Sequence, residues 1–153
     1  MALEESYIRR VEIPHHVRKY IETELRMYKA YLSAIHLIDE ELGEIYQTQF
    51  KREGTPVQGG EISNEPLSKT LRIDALESEK KDKLSRIRKV DEGLKLFPPR
   101  SLNRRIIEVK YFSGNDWSPE QIMAQVGIGR RNAYFERLTF IQRSFGIVFK
   151  IVN

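Results

Sequence analysis

The sequence predicts an all-α protein with long N-terminal amphipathic helices, a linker and a unit of three short helices. Apolar residues recur at steps of three and four from Val17 to Ile45, which is typical of a helix. Glycine and proline interrupt this pattern at residues 51–66, and three short apolar faces separated by turns follow residue 98. A chain of 153 residues can bury one sizeable core or two small ones, which is too little for a large enzyme domain.

The first long helix is predicted from a sustained apolar seam. Its members average about 3.5 residues per step, and they are Val17, Ile21, Leu25, Tyr28, Leu32, Ile35, Ile38, Leu42 and Ile45. Pro14 precedes the seam, where the start of a helix tolerates proline. The predicted linker at residues 51–66 holds three glycines and two prolines and little apolar content.

A second long helix is predicted from about Ser68 to Phe97, with a poorer seam because the charged stretch ESEKKDK interrupts it. The seam consists of Leu71, Ala75, Leu76, Leu84, Ile87, Leu94 and Phe97. The seams of the two helices can pair within one chain or between two copies in a homodimer, and the sequence leaves both arrangements open. Pro98 forces the preceding residue out of the helical region, which sets the predicted boundary between regions 1–97 and 98–153.

Three short helices are predicted after that boundary, with one shared core that would make residues 98–153 self-contained. The inward residues are Leu102, Ile106, Val109 and Phe112 on the first helix, Ile122 and Val126 on the second, and Tyr134, Leu138, Ile141 and Phe145 on the third. The second helix is expected at residues 119–126, because Ser118 can cap it and Pro119 suits its first position. A Gly-Ile-Gly turn then leads to the third helix. This arrangement is a helix-turn-helix, which presents its last helix to the DNA major groove.

Three polar residues directly after the turn are predicted to contact DNA bases: Arg130, Arg131 and Asn132. Cations in the first turn of a helix oppose its macrodipole by about 0.3–1 kcal/mol each, and the fold gains nothing evident in return. The N-terminal turn of a recognition helix meets base edges, where arginine can fork onto guanine and asparagine onto adenine. A phosphate-binding loop is the weaker interpretation, since no buried strand and no third glycine accompany the turn.

The basic surplus of the chain lies in its last third. Residues 100–153 hold nine Lys and Arg against four Asp and Glu, a net charge of +5, whereas residues 1–99 carry −1. Such asymmetry indicates a polyanion partner for this region. Five cations are predicted to contact the DNA backbone, with a solvated surface as the alternative for each: Arg104, Arg105, Lys110, Arg137 and Arg143.

The C-terminal stretch, and with it nearly the whole chain, resembles known families of transcription proteins. The stretch RSLNRRIIEVKYFSGNDWSPEQIMAQVGIGRRNAYFERLTFIQ resembles the fourth region of bacterial sigma factors in its helix, aromatic pair, short turn, helix and Gly-Ile turn. Together with VRKYIETELRMYKAYLSAIHLIDEEL, the linker and the charged helix, nearly the whole chain resembles the RinA/ArpU family of phage transcriptional regulators. The resemblance implies that the protein activates phage late genes for packaging, morphogenesis or lysis. It would do so by binding double-stranded promoter DNA and working with bacterial RNA polymerase.

This sequence departs from the family pattern at two positions. Gly129 stands where such proteins usually have a capping serine, and Ala133 stands where an aromatic residue is frequent. For this reason no base preference is carried over from the family.

Other chemistry has little support in the sequence. There is no cysteine, His15 and His16 are adjacent and point apart, and His36 lacks metal-ligand partners at suitable spacing. The acidic stretch DEELGE has no nucleophile beside it. We therefore expect a non-enzyme with no metal, no cofactor and no small-molecule substrate. No apolar run approaches the roughly 20 residues that span a bilayer and no signal peptide is recognisable, so we expect no membrane partner and a place in the cytoplasm. The family resemblance implies that this is the cytoplasm of a bacterial host.

Two alternative functions remain open at the level of sequence. A phage terminase small subunit would also bind DNA through a helix-turn-helix and assemble through helices, but its reading helix is more often N-terminal. A coiled-coil adaptor that does not bind DNA would need only the first helix, and it leaves the C-terminal arginines unexplained.

Overall fold

The computed structural model describes residues 4–53 and 65–151, and every regular element within them is helical. In chain order the helices are α1 (Glu5–Arg10), α2 (His15–Glu53), α3 (Glu65–Leu94), α4 (Leu102–Ile107), α5 (Pro119–Val126) and α6 (Arg131–Val148). A π-helical turn, Glu108–Phe112, continues α4. The prediction of an all-α fold with two long helices before a three-helix unit is confirmed. None of the helices in the described ranges combines the length and apolar content needed to cross a membrane.

The predicted linker is shorter than residues 51–66. Residues 51–53 still belong to α2, and residues 65 and 66 already belong to α3. The remainder of the predicted linker, residues 54–64, lies outside the described residues, as do the side chains of residues 49–53, 65 and 66. Helix α3 ends at Leu94 rather than at Phe97, and helix α1 was not predicted.

The chain divides into two compact units, and the division differs from the boundary predicted between residues 97 and 98. The first unit combines Met1–Lys29 with Arg86–Asn153, and the second is Ala30–Ser85. The physical reason is that the core of the three short helices includes apolar residues from both long helices and from the segment after α3. These residues are Ile21 and Leu25 of α2, Val90 and Leu94 of α3, and Phe97 beyond the end of α3.

The centre of the first unit is the ring of Phe145 on α6, which has no exposed surface. It lies 6.0 Å from the ring of Phe97 and 5.7 Å from that of Phe149, measured between centroids. It also packs against the backbone of Gly93 in α3, where a Cβ atom would stand 2.2 Å from a ring carbon. The absence of a side chain at Gly93 is therefore what lets α3 and α6 approach each other.

The second unit is an antiparallel pairing of α2 with α3 inside one chain. Its small core consists of Ile38, Leu42 and Leu76. Arg72 and Lys80 of α3 bind Glu41 and Asp39 of α2, at 2.7 Å and 2.6 Å. Pairing within the chain is thus the arrangement that the structure adopts for these parts of the seams.

Three predicted seam residues of the second unit face outward instead. Leu32 on α2 is 40% exposed, Leu71 on α3 is 61% exposed, and Ala75 on α3 is exposed as well. Leu71 precedes the buried Leu76 by five residues, which places it about 140° away around the helix axis.

The apolar face predicted for the first short helix is only partly right. Ile106 is fully buried as expected, but Val109 and Phe112 are half-buried, and Ile107 and Tyr111 are buried in their place. A π-helical turn has more residues per turn than an α-helix, so it rotates the buried face relative to the α-helical spacing that was assumed.

Candidate nucleic-acid interface

Helix α5 begins and ends where the sequence predicted. The Ser118 hydroxyl accepts a hydrogen bond from the backbone N–H of Gln121 at 3.3 Å, and the Gln121 side-chain oxygen accepts one from the N–H of Ser118 at 2.9 Å. This reciprocal capping box, with Pro119 at the first position, fixes the start of the helix. Ile122 and Val126 are buried, and they attach α5 to the core.

The turn after α5 depends on Gly127. Its φ of 79° lies in the left-handed region, where a side chain would be strained. The N–H groups of Gly127 and Ile128 both donate to the carbonyl of Met123 at 2.9 Å, which satisfies the end of α5. Since Gly129 has neither a positive φ nor a crowded Cβ position, Gly127 alone provides the turn geometry.

Helix α6 starts one residue later than expected. Its N-cap is Arg130, with extended backbone angles of φ −112° and ψ 123°, and not Gly129. The Arg130 side chain does not cap the helix, and the first turn contains no acidic residue. Arg130 therefore precedes the helix, whereas Arg131 and Asn132 form its first two positions.

The three predicted base-contacting residues are all exposed at this end of α6. Tyr134 and Leu138 are buried one and two turns along, so they hold α6 to the core and leave its N-terminal turn on the surface. Within the described part of the chain, the side chain of Arg130 makes no hydrogen bond or ion pair. The structure thus brings Arg130, Arg131 and Asn132 together at one surface position, next to the start of α5.

Arg131 has two partners that the sequence analysis missed. One of its terminal nitrogens, Nη1, donates to the carboxylate of Glu120 in the first turn of α5. Its guanidinium carbon also lies 5.0 Å from the centre of the Phe135 ring, which is a cation–π geometry. The spacing of Arg131 and Phe135, one turn apart on α6, could have indicated the second contact, but the ion pair depends on the angle between two helices.

A groove of about 1000 Å³ runs beside α6 and connects with this surface. Helices α1, α4 and α6 line it, through residues that include Arg9, Asn103, Asn132, Phe135, Arg137 and Arg143. Sequence reasoning did not connect Arg9 with this surface, because Arg9 lies far from α6 in the chain and outside the basic C-terminal third.

Three of the predicted backbone-contacting arginines bind the carbonyl ends of helices. Arg104 donates to the carbonyls of Leu94 and Phe97, both at 3.1 Å, just where α3 ends. Arg105 donates to Gln125 at the end of α5 at 3.0 Å, and Arg143 donates to Arg9 at the end of α1 at 2.7 Å. Cations at helix C-termini satisfy free carbonyls and complement the helix dipole, so part of the basic surplus stabilises the fold.

The position of Arg104 does not suit its predicted contact with the DNA backbone. Only 22% of its side-chain surface is exposed, and its guanidinium faces the end of α3. It also approaches Glu108 at 3.5 Å. A guanidinium used in this way is a structural group, and Arg104 leaves the set of candidates for phosphate contact. Arg105 is exposed and stays in the set.

The two other backbone candidates differ in exposure. Arg137 is exposed, and it donates to the side-chain oxygen of Asn103 at 3.1 Å. Lys110 is half-buried in the π-helical turn, and its ammonium lies 5.5 Å from the Tyr111 ring. Burial lowers the pKa of Lys110 below its usual value, whereas the charge of Glu22 opposes this shift. The geometry therefore favours Arg137 over Lys110 as a group available to a phosphate.

Comparisons with models of protein families, with curated proteins and with solved structures find no match for this chain. Within the described ranges, no three acidic or histidine side chains are grouped so that they could hold a metal ion. A function therefore has to be inferred from the residues of the surface at α5 and α6.

Proposed function

We propose that the protein is a sequence-specific DNA-binding activator of transcription, and that α6 enters the major groove with its N-terminal turn first. One observation carries the proposal. Arg130, Arg131 and Asn132 stand exposed at the start of a helix that two buried residues hold in place, behind a glycine turn and a capped preceding helix. This is the arrangement of a helix-turn-helix, in which arginine and asparagine side chains reach base edges.

The proposed backbone contacts come from cations around that turn. Arg137 lies further along the exposed side of α6, and Arg9 of α1 lines the same groove, where it also pairs with Glu5 at 2.6 Å. Arg105 lies beside the end of α5, where a partly satisfied guanidinium retains donors for a phosphate. These contacts would set affinity and its salt dependence, while Arg131 and Asn132 would set specificity.

The resemblance to the RinA/ArpU family supports the wider role. On this proposal the protein binds promoter DNA of phage late genes and assists bacterial RNA polymerase in the host cytoplasm, without catalysis of its own. The hairpin formed by Ala30–Ser85 is then available for contact with the polymerase or with a second copy, because it contains none of the proposed DNA-contacting residues.

The test starts from a pool of random DNA duplexes, from which the full-length protein selects its binding sequence. On the selected site, Arg131→Ala and Asn132→Ala should each weaken binding by about 1–3 kcal/mol, with little change in the free energy of unfolding. The control is Arg88→Ala, which removes the same charge from an exposed position on α3. Selection of no sequence by the wild-type protein would refute the proposal.

The two alternative functions predict different assemblies. A terminase-like protein would form a ring, and a coiled-coil adaptor would form an elongated assembly without DNA affinity. Light scattering on the purified chain measures its mass, and a monomer or dimer is expected for the proposed activator. A ring of many copies that stimulates a packaging ATPase would favour the terminase interpretation.

A further inference from the structure

We propose that Glu120 of α5 determines sequence specificity, by holding Arg131 of α6 in the orientation that reads a base pair. The inference rests on the proposed DNA binding and assigns a role within it to a residue outside the basic surface. Its basis is a group of three exposed side chains that joins the two helices of the motif, namely Glu120, Arg131 and Phe135.

The contacts of Arg131 restrain its guanidinium from two directions. The carboxylate of Glu120 binds Nη1, and the guanidinium carbon lies over the ring of Phe135, 5.0 Å from its centroid. The Phe135 ring is itself held by an edge-to-face contact with the buried Tyr134, with a centroid distance of 5.1 Å. Arg131 is therefore connected through Phe135 to the core, although its side chain is 61% exposed.

This arrangement contributes little to the stability of the fold. The side chains of Arg131 and Glu120 are 61% and 63% exposed, and exposed ion pairs add only about 0–1 kcal/mol. Placing Arg131 in the first turn of α6 also opposes the helix dipole. Because this exposed ion pair adds so little to the stability of the fold, a role in binding a ligand at the surface explains it more simply.

The restrained guanidinium of Arg131 retains two adjacent N–H donors, which the recognition of guanine requires. In the described part of the chain, Nε and Nη2 of Arg131 make no hydrogen bond, whereas Nη1 is bound to Glu120. Two adjacent N–H donors match the O6 and N7 acceptors of guanine in the major groove. Because Glu120 fixes the group before binding, less side-chain entropy is lost when that contact forms.

The carboxylate also adds discrimination through its charge. It offsets the charge of Arg131, which reduces attraction to phosphates at any sequence. Because Arg131 presents two adjacent donors to guanine, we expect a G·C base pair at the position that it reads.

The experiment compares three full-length proteins in selection from random duplexes: the wild type, Glu120→Gln and Glu79→Gln. Glu79 is the control, because it is an exposed carboxylate of α3 in the hairpin that holds none of the proposed DNA-contacting residues, and the structure shows no ion pair for it within the described residues. Both variants lose one negative charge, so both should bind non-specific DNA more tightly. Only Glu120→Gln should lose the G·C preference, with a drop of about tenfold in the affinity ratio of specific to non-specific DNA.

A second measurement tests whether Glu120 acts through Arg131. In an Arg131→Ala background, Glu120→Gln should no longer change the affinity ratio, since the group that it positions is absent. If the wild type selects no sequence, the proposed DNA reading itself fails. If the wild type selects a sequence and Glu120→Gln retains the full preference, or if the effect of Glu120→Gln persists without Arg131, the role of Glu120 is overturned while DNA reading stands.

Discussion

Two glycines in long helices are chemically alike and structurally different. A Cβ atom on Gly93 would stand 2.2 Å and 2.4 Å from carbons of the buried Phe145 ring, whereas one on Gly43 would meet nothing within 4 Å. Only the first glycine is required by a close approach between helices. Gly43 lowers the stability of its helix relative to alanine, and no close packing requires a glycine there.

This contrast predicts opposite effects of the same substitution. Gly93→Ala should lower the free energy of unfolding by about 1–3 kcal/mol, because the ring cannot move aside without disturbing the core. Gly43→Ala, its control, should raise it by about 0.5–1 kcal/mol, since alanine favours an exposed helix. Urea denaturation followed by circular dichroism measures both values. Equal shifts for the two variants would contradict the packing described around Phe145.

Single residues also show how far the sequence could predict the candidate site. The exposure of Arg131 and Asn132 follows from the spacing of Tyr134 and Leu138, which the apolar pattern identifies. The positions of Arg104 and Glu120 do not follow from any pattern. Each side chain binds a group on another helix, so its role depends on tertiary geometry that one stretch of sequence does not contain.

At the scale of helices, local chemistry decided which boundaries were predictable. Helix α5 was predicted in full, because Ser118 and Pro119 act within one turn. The ends of α3 and α4 were not. Helix α3 ends at Leu94, where the carbonyls of Leu94 and Phe97 accept hydrogen bonds from Arg104. Helix α4 widens into a π-helical turn, which the spacing rules for α-helices do not anticipate.

The connection between α2 and α3 gives a pH-dependent prediction. The hydroxyl of Tyr28 on α2 donates to the carboxylate of Asp91 on α3 at 2.5 Å. Burial, followed by this hydrogen bond, raises the pKa of Tyr28 from 10.0 to about 12. A raised pKa means that the folded state holds the proton more tightly than the unfolded state does. The stabilisation is therefore complete below pH 10 and is lost as the pH rises from 10 to 12.

Tyr28→Phe removes this contribution at every pH. At pH 8 the variant should be less stable than the wild type by about 1 kcal/mol, the usual value of such a bond. The difference should shrink between pH 10 and 12, where the wild type loses its own hydrogen bond. Denaturant titrations across that range measure it. A difference that stays constant up to pH 12 would mean that Tyr28 does not titrate as described.

At the scale of the molecule, the first unit is assembled from two separate stretches of the chain. The apolar pattern identified most of its core residues, but it could not show that Ile21 and Leu25 pack with the last three helices rather than along the first helical pair. The apolar pattern of a helix identifies which of its residues are buried, but it does not identify the helices against which they pack. The expectation that residues 98–153 are self-contained was drawn without this information.

The division into units changes what a fragment should do. Residues 98–153 alone lack Ile21, Leu25, Val90, Leu94 and Phe97 of their own core, and we expect them to be largely unfolded.

A chain in which a short Gly/Ser segment joins residue 29 to residue 86 retains all five of these core residues. It should unfold cooperatively in urea and bind the selected DNA. Its ability to activate transcription with bacterial polymerase should be lost if the hairpin makes the proposed polymerase contact.

Circular dichroism and gel shift on both proteins provide the comparison. Cooperative unfolding of residues 98–153, at the stability of the full chain, would restore the predicted boundary at residue 98. Full activation by the joined chain would instead show that the hairpin is dispensable for transcription.

The origin of the first core in two distant stretches also has a consequence for synthesis on the ribosome. The apolar stripe around Ile21 and Leu25 emerges early, but Phe145 and its neighbours on α6 emerge last. At about 5–20 residues per second, the stripe waits for several seconds without its final partners. The hairpin has its partners nearby in sequence, so it can form first and shorten the loop that the core must later close. A nascent chain stalled before α6 should accordingly be the form most dependent on chaperones.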